Sequence, residues 1–137
     1  MLDNSIKEQL KNIFSRLQSP IAFRMLSRPD DARSAEMLEF LQDVAATSPN
    51  LSVETGNADN EAPEFEIVKD GNATGVKFCG IPNGHEFSTL LLAVLNADGQ
   101  GKNLPDASLT ARIKALKGPL KLRTFVSLTC TNCPDVA

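Results

Sequence analysis

With 137 residues, 42% of them hydrophobic and 23% charged, the chain has the size and mix of a globular protein, which excludes a disordered, collagenous or coiled-coil chain. No apolar run reaches the roughly 18 residues of a membrane helix, and Asp3, Lys7, Glu8, Lys11 and Arg16 stand where a signal peptide would be apolar, so a cytoplasmic chain is expected. Seven phenylalanines without Trp or Tyr, and a net charge of −3, argue against nucleic acid as a partner.

Ile6, Leu10, Ile13, Phe14 and Leu17 fall on one face of a helix. Ser5 with Glu8 reads as its capping box, and Ser19-Pro20 stops it. Ile21, Phe23 and Met25 then alternate with Ala22, Arg24 and Leu26 as a strand, broken by Arg28-Pro29-Asp30-Asp31. Met37, Leu38, Leu41, Val44 and Ala45 return to helical spacing, up to Thr47-Ser48-Pro49. Leu51, Val53 and Thr55 make a short second strand, and the polar stretch 56–62 reads as a loop. Phe65, Ile67 and Val68, then Val76, Phe78 and Cys79, form two strands around Lys69-Asp70-Gly71-Asn72, whose Asp-Gly step favours a hairpin. After Asn83-Gly84, the residues Leu90, Leu91, Leu92, Val94 and Leu95 are apolar nearly all round, which predicts a buried helix.

The order αβαβ then ββα is the thioredoxin-like plan: an α/β fold with a four-stranded mixed sheet flanked by helices. Phe23, Met25, Leu38, Leu41, Phe65, Ile67, Phe78, Leu91, Val94 and Leu95 are its expected inward residues. This unit is expected over residues 1–101, without redox cysteines, followed by a linker helix over 102–119. Leu109, Ile113 and Leu116 mark that helix, which Gly118-Pro119 ends. Leu120, Leu122 and Thr124 alternate and run into Phe125-Val126-Ser127-Leu128, a predicted strand that opens the region 120–137, the truncated start of a second thioredoxin-like fold.

Charge divides along the chain. Residues 1–98 hold eight Lys/Arg against fifteen Asp/Glu, or −7, and residues 99–137 hold six against two, or +4. Three cysteines are too few, and odd in number, for a secreted disulfide scaffold. Two of them stand in Cys130-Thr131-Asn132-Cys133-Pro134, directly after the predicted strand. A redox pair needs two sulfurs one turn apart at a helix N-terminus, where free N–H groups stabilise the first thiolate, and Pro134 suits that first turn. Zinc would need about four ligands. Cys79 and the single histidine, His85, lie far upstream with no second close pair, so no metal is expected.

Met1-Leu2-Asp3, Gly84-His85-Glu86-Phe87 before an apolar helix, and Ser127-Leu128-Thr129-Cys130-Thr131-Asn132-Cys133-Pro134-Asp135-Val136 carry a resemblance. The whole chain resembles the N-terminal region of the bacterial alkyl hydroperoxide reductase flavoprotein, the F subunit. The resemblance implies two thioredoxin-like folds ahead of a flavin- and pyridine-nucleotide-binding body. Electrons would pass from NADH through FAD to the cysteine pair, and from the pair to a partner peroxiredoxin. It makes Cys130 the attacking thiol and Cys133 the resolving one, and places Glu86 facing the pair to move protons. No cofactor is expected in this chain, which lacks a Gly-x-Gly-x-x-Gly fingerprint; FAD and NADH belong to the body. A histidine is common after the first cysteine in that family, and Thr131 stands here. The chain ends four residues after Cys133, so it is expected to be a fragment with little activity alone, while the parent is an NADH-dependent disulfide reductase.

The other candidates have plainer readings. Glu86 also fits a carboxylate complementing a helix dipole, His85 a solvated loop residue, and Cys79 a small buried hydrophobe. Lys114, Lys117, Lys121 and Arg123 form a solvated basic face or steer an acidic partner. The alternative function is a non-catalytic docking or scaffold domain. The segment 120–137 is expected either to pair with a second copy, giving a homodimer, or to fold back on the first fold, with its thiols reacting as ordinary ones.

Overall fold

The computed structural model describes residues 2–137; Met1, part of the Met1-Leu2-Asp3 step, lies outside them. Strands β1 (Ile21–Ser27), β2 (Leu51–Asn57), β3 (Glu64–Lys69) and β4 (Asn72–Cys79) form one sheet in the order β2-β1-β3-β4. β1 runs parallel to β2, with Ile21 opposite Leu51, and antiparallel to β3, with Phe23 opposite Ile67; β4 closes the antiparallel hairpin. The parallel β1–β2 pair and the β3–β4 hairpin are those that the αβαβ then ββα order implies. Asp70 and Gly71 sit between β3 and β4 with φ of 50° and 77°, the left-handed backbone that an Asp-Gly hairpin turn requires. β4 begins earlier than its apolar residues suggest, because a bulge opposite Ile67 carries Thr74 and Gly75, and the Thr74 hydroxyl donates to the Ile67 carbonyl at 2.6 Å.

Period-two alternation aims Ile21, Phe23 and Met25 at one core with Phe65 and Ile67. Helices α1 (Asn4–Phe14), α2 (Arg33–Ala45) and α3 (Phe87–Ala97) bring Leu10 and Phe14, Met37, Phe40, Leu41 and Val44, and Leu90, Val94 and Leu95 to the same cluster. Leu38, Phe78 and Leu91 are half-buried around it. The opposite side of β1 carries Arg24, paired with Glu54 on β2 at 3.0 Å.

The start of α1 differs from the expected capping box. Asp3 accepts the Ile6 N–H at 2.8 Å, while Ser5 lies inside the first turn and Glu8 pairs with Lys11. A carboxylate one residue before the helix captures the free N–H directly, so Ser5 is not needed. α1 is tied to α2 through Asp43, which accepts from Lys7 at 2.7 Å and from the Leu2 N–H at 2.8 Å.

Asp98, buried after α3, accepts the N–H groups of Gln18 and Ser19 at 3.0 and 2.9 Å and so holds the turn between α1 and β1 against the end of α3. Burial pushes its carboxyl up, but these donors, with the Gln100 amide, outweigh it and leave the pKa below the ordinary value. A lowered folded-state pKa stabilises the fold above the unfolded value of about 3.9, and this stabilisation is lost as pH falls through the folded value. Urea titrations should therefore show Asp98→Asn costing stability at neutral pH, with the gap to wild type closing in acid; a gap that stays constant would contradict this assignment.

Past Gly101 the chain departs from the expected pattern. Helix α4 (Ala107–Lys114) starts where Asp106 accepts the Leu109 N–H at 2.7 Å and stops at Ala115, short of Gly118-Pro119. The strand predicted over 120–128 does not form: among the described residues no neighbouring strand pairs with this run, and Leu122 and Phe125 stay 92% and 89% exposed. Alternation reports which side chains are apolar, and a strand also needs a hydrogen-bonded neighbour. From Leu128 onward the segment folds back on the first unit, one of the two arrangements expected for it.

Candidate active site

Two short elements make the site. Cys130 precedes helix α5 (Cys133–Val136), with Pro134 in its first turn, and its own N–H donates to the Ser127 carbonyl at 2.9 Å. Both thiols on this bend are half-exposed and unbridged, and each shifts the other's pKa. The second element is the single 3-10 turn Gly84–Glu86 that leads into α3, and α5 packs on this turn and on α3. The His85 N–H donates to the Leu128 carbonyl at 3.1 Å, which lays the cysteine segment over the turn. Pairing between residues more than forty positions apart cannot be read from either motif alone.

Glu86 is 3% exposed. Its Oε2 accepts the Thr89 hydroxyl at 2.9 Å, and Oε1 is buried without a partner. Glu86 stands at the N-terminus of α3, where a carboxylate complements the helix dipole, although its side chain makes no cap bond to a free N–H. Thr89, one turn further along α3, is a site residue that sequence reasoning misses; a hydroxyl three residues after an acid is its only signal. His85 is exposed, as a solvated loop residue would be.

Hydrogen bonding from the Cys133 thiol lowers the Cys130 pKa below that of an ordinary thiol, helped by the backbone N–H groups of Asn132 and Cys133. Desolvation and the Glu86 charge oppose this without reversing it. Cys133 moves the other way: Cys130 raises it, and desolvation and Glu86 add to the rise. The two thiols therefore depart in opposite directions from the ordinary value expected for them, chiefly because each acts on the other. Within the pair, Cys130 is the easier thiolate.

Cys79 is also corrected. It is exposed on the edge strand β4 rather than buried, with Sγ 3.8 Å from Glu64 Oε2. Desolvation and then the Glu64 charge raise its pKa. Lys114, Lys117, Lys121 and Arg123 are exposed and make no ion pair among the described residues. At the end of β1, where the thioredoxin-like plan places a cysteine pair, Arg28, Pro29 and Asp30 border an open depression with Asn57 and Asp59 and offer no thiol. Among the described residues, no three His, Cys, Asp or Glu side chains converge as metal ligands, and no helix is long and apolar enough to cross a membrane.

No family model matches the chain. It is 36% identical over 137 residues to the alkyl hydroperoxide reductase F subunit from Pseudomonas aeruginosa, a match covering 99% of this chain and 26% of that protein. The F subunit from Staphylococcus aureus is 38% identical over 136 residues, with the same coverage. The chain thus spans about a quarter of the length of these relatives. Among solved structures, the NTD_N/C domain of the Enterococcus faecalis alkyl hydroperoxide reductase F protein superposes with a TM-score of 0.80 at 34% identity, covering 99% of this chain and 70% of that one. A protein disulfide oxidoreductase from Aeropyrum pernix, 19% identical, superposes with a TM-score of 0.78 over 98% of this chain and 64% of its own, which shows the shared fold. By its identity to the Enterococcus domain and its coverage of that domain, the chain belongs to the alkyl hydroperoxide reductase F protein family, within the thioredoxin-like N-terminal region.

Proposed function

We propose that Cys130 and Cys133 form a reversible dithiol–disulfide centre that hands electrons to the disulfide of a peroxiredoxin. The observation that carries this reading is that the Cys130–Cys133 bend is laid, through the Leu128 carbonyl, over the turn that holds the buried Glu86 carboxylate. The Cys130 thiolate attacks one sulfur of the partner disulfide, forming a mixed disulfide and releasing the other partner sulfur as a thiolate, which takes up a proton. Cys133 then loses its proton and attacks Cys130 Sγ, releasing the second partner thiol. The partner gains two electrons and this chain ends as the Cys130–Cys133 disulfide. Glu86, with Oε1 free and its charge felt by both thiols, is the group we assign to accept the Cys133 proton.

The family resemblance suggests a flavin and NADH as the source of returning electrons, but the residues present do not fit either: the chain has no Gly-x-Gly-x-x-Gly loop. Equilibrating the chain with glutathione buffers tests the centre itself. One two-electron transition joining Cys130 to Cys133, absent from Cys130→Ser, is the expected result; independent titration of the two thiols would refute it.

A docking role has one observation in its favour. Residues 104–136 hold every exposed large hydrophobic among the described residues except Val76, beside basic side chains without ion pairs. If a second copy covers this surface, sedimentation will show concentration-dependent dimers; a monomer at all concentrations would exclude the homodimer.

A further inference from the structure

We propose that Gly84 is the positioning residue that seats the cysteine segment on the first unit, and that Glu86 acts on Cys130 and Cys133 only while this seat is closed. The inference rests on the exchange centre proposed above and names what assembles it. Among the described residues, the His85 N–H donating to the Leu128 carbonyl at 3.1 Å is the one hydrogen bond joining residues 102–137 to the preceding unit. No ion pair bridges them either. That bond is made beside Gly84, whose φ is +58°, a conformation that side chains other than glycine disfavour.

Space decides the matter as much as torsion does. A Cβ on Gly84 would stand 2.7 Å from the Leu128 carbonyl oxygen, nearer than such atoms approach, and this neighbour is backbone that cannot rotate away. The carbonyl would have to withdraw and lose the His85 N–H. Two residues beyond Leu128 comes Cys130, and two beyond Gly84 comes Glu86, so the two-residue seat fixes the approach of carboxylate to thiols. With Oε1 buried and unpartnered, Glu86 has no other group to serve on that side.

Alkylation rates of Cys130 against pH, in wild type, Glu86→Gln, Gly84→Ala and the double variant, test the coupling. In wild type, removing the Glu86 charge should shift the profile to lower pH, because that charge opposes the thiolates. In Gly84→Ala the same Glu86→Gln change should shift nothing. An equal shift in both backgrounds overturns the seat and leaves the exchange centre standing. A wild-type profile that Glu86→Gln does not move overturns the assignment of Glu86 itself. Amide exchange of His85 reads the seat without reference to Glu86: it should quicken roughly tenfold in Gly84→Ala, about the factor for losing one hydrogen bond, and an unchanged rate refutes the role of Gly84. His85→Pro removes the donor without adding a Cβ at Gly84. It should uncouple Glu86 from Cys130 in the same way, and retained coupling there overturns the seat.

Discussion

Cys133→Ser should accumulate a mixed disulfide between Cys130 and a partner peroxiredoxin presented as its disulfide, whereas Cys130→Ser should form none. The asymmetry follows from the grading of the thiols. Cys130 is lowered by the Cys133 thiol and two backbone N–H groups, so in the proposed exchange it is the nucleophile that opens the partner disulfide. Cys133 is raised by the same contact and acts second, when Cys130 no longer carries the charge that holds its proton. With a hydroxyl in place of the Cys133 thiol the second attack cannot occur, and the intermediate persists until an external thiol resolves it. Non-reducing electrophoresis separates the adduct from its parts. Equal trapping by both variants would mean that either sulfur can start the exchange, against the unequal thiols on which the prediction rests. Cys79 should not substitute, since partial desolvation by its neighbours and the Glu64 charge oppose its thiolate.

The second large effect is on stability. Phe65→Ala should cost about 3–5 kcal/mol, measured by urea unfolding. Phe65 is fully buried on β3, packs edge-to-face on Phe23 with ring centroids 5.8 Å apart, and stacks on Phe78 at 5.1 Å. Truncation loses both ring contacts and leaves a void between β1 and β4, which the paired backbones on either side cannot close. A loss under about 1 kcal/mol would show that the core repacks around the gap. Phe78→Ala should cost less, because that ring is only half-buried.

Much of this fold is legible in the amino-acid order because its signals are local. Alternation in Ile21–Met25, the Asp70-Gly71 turn and the apolar run after Gly84 each act within a few residues, and the structure follows them. The legible part ends where an element depends on a distant neighbour. Residues 120–128 alternate as a strand does, yet no partner lies beside them among the described residues. Cys79 stands in an apolar pattern, but β4 is an edge and its side chain meets solvent and Glu64. At the site, the cysteine spacing and the Gly-His-Glu step are each visible in the chain. Their juxtaposition through the Leu128 carbonyl is a tertiary fact, and so is the burial of Glu86 with one oxygen left free.

Competitive alkylation bears most directly on the claim that Cys130 leads a graded pair. All three thiols are present in one chain, so limiting iodoacetamide near neutral pH, followed by peptide mass mapping, ranks them under identical conditions. Cys130 should be modified first, with Cys133 and Cys79 lagging, because the first is lowered and the other two are raised. Modification of Cys79 or Cys133 ahead of Cys130 would contradict the account.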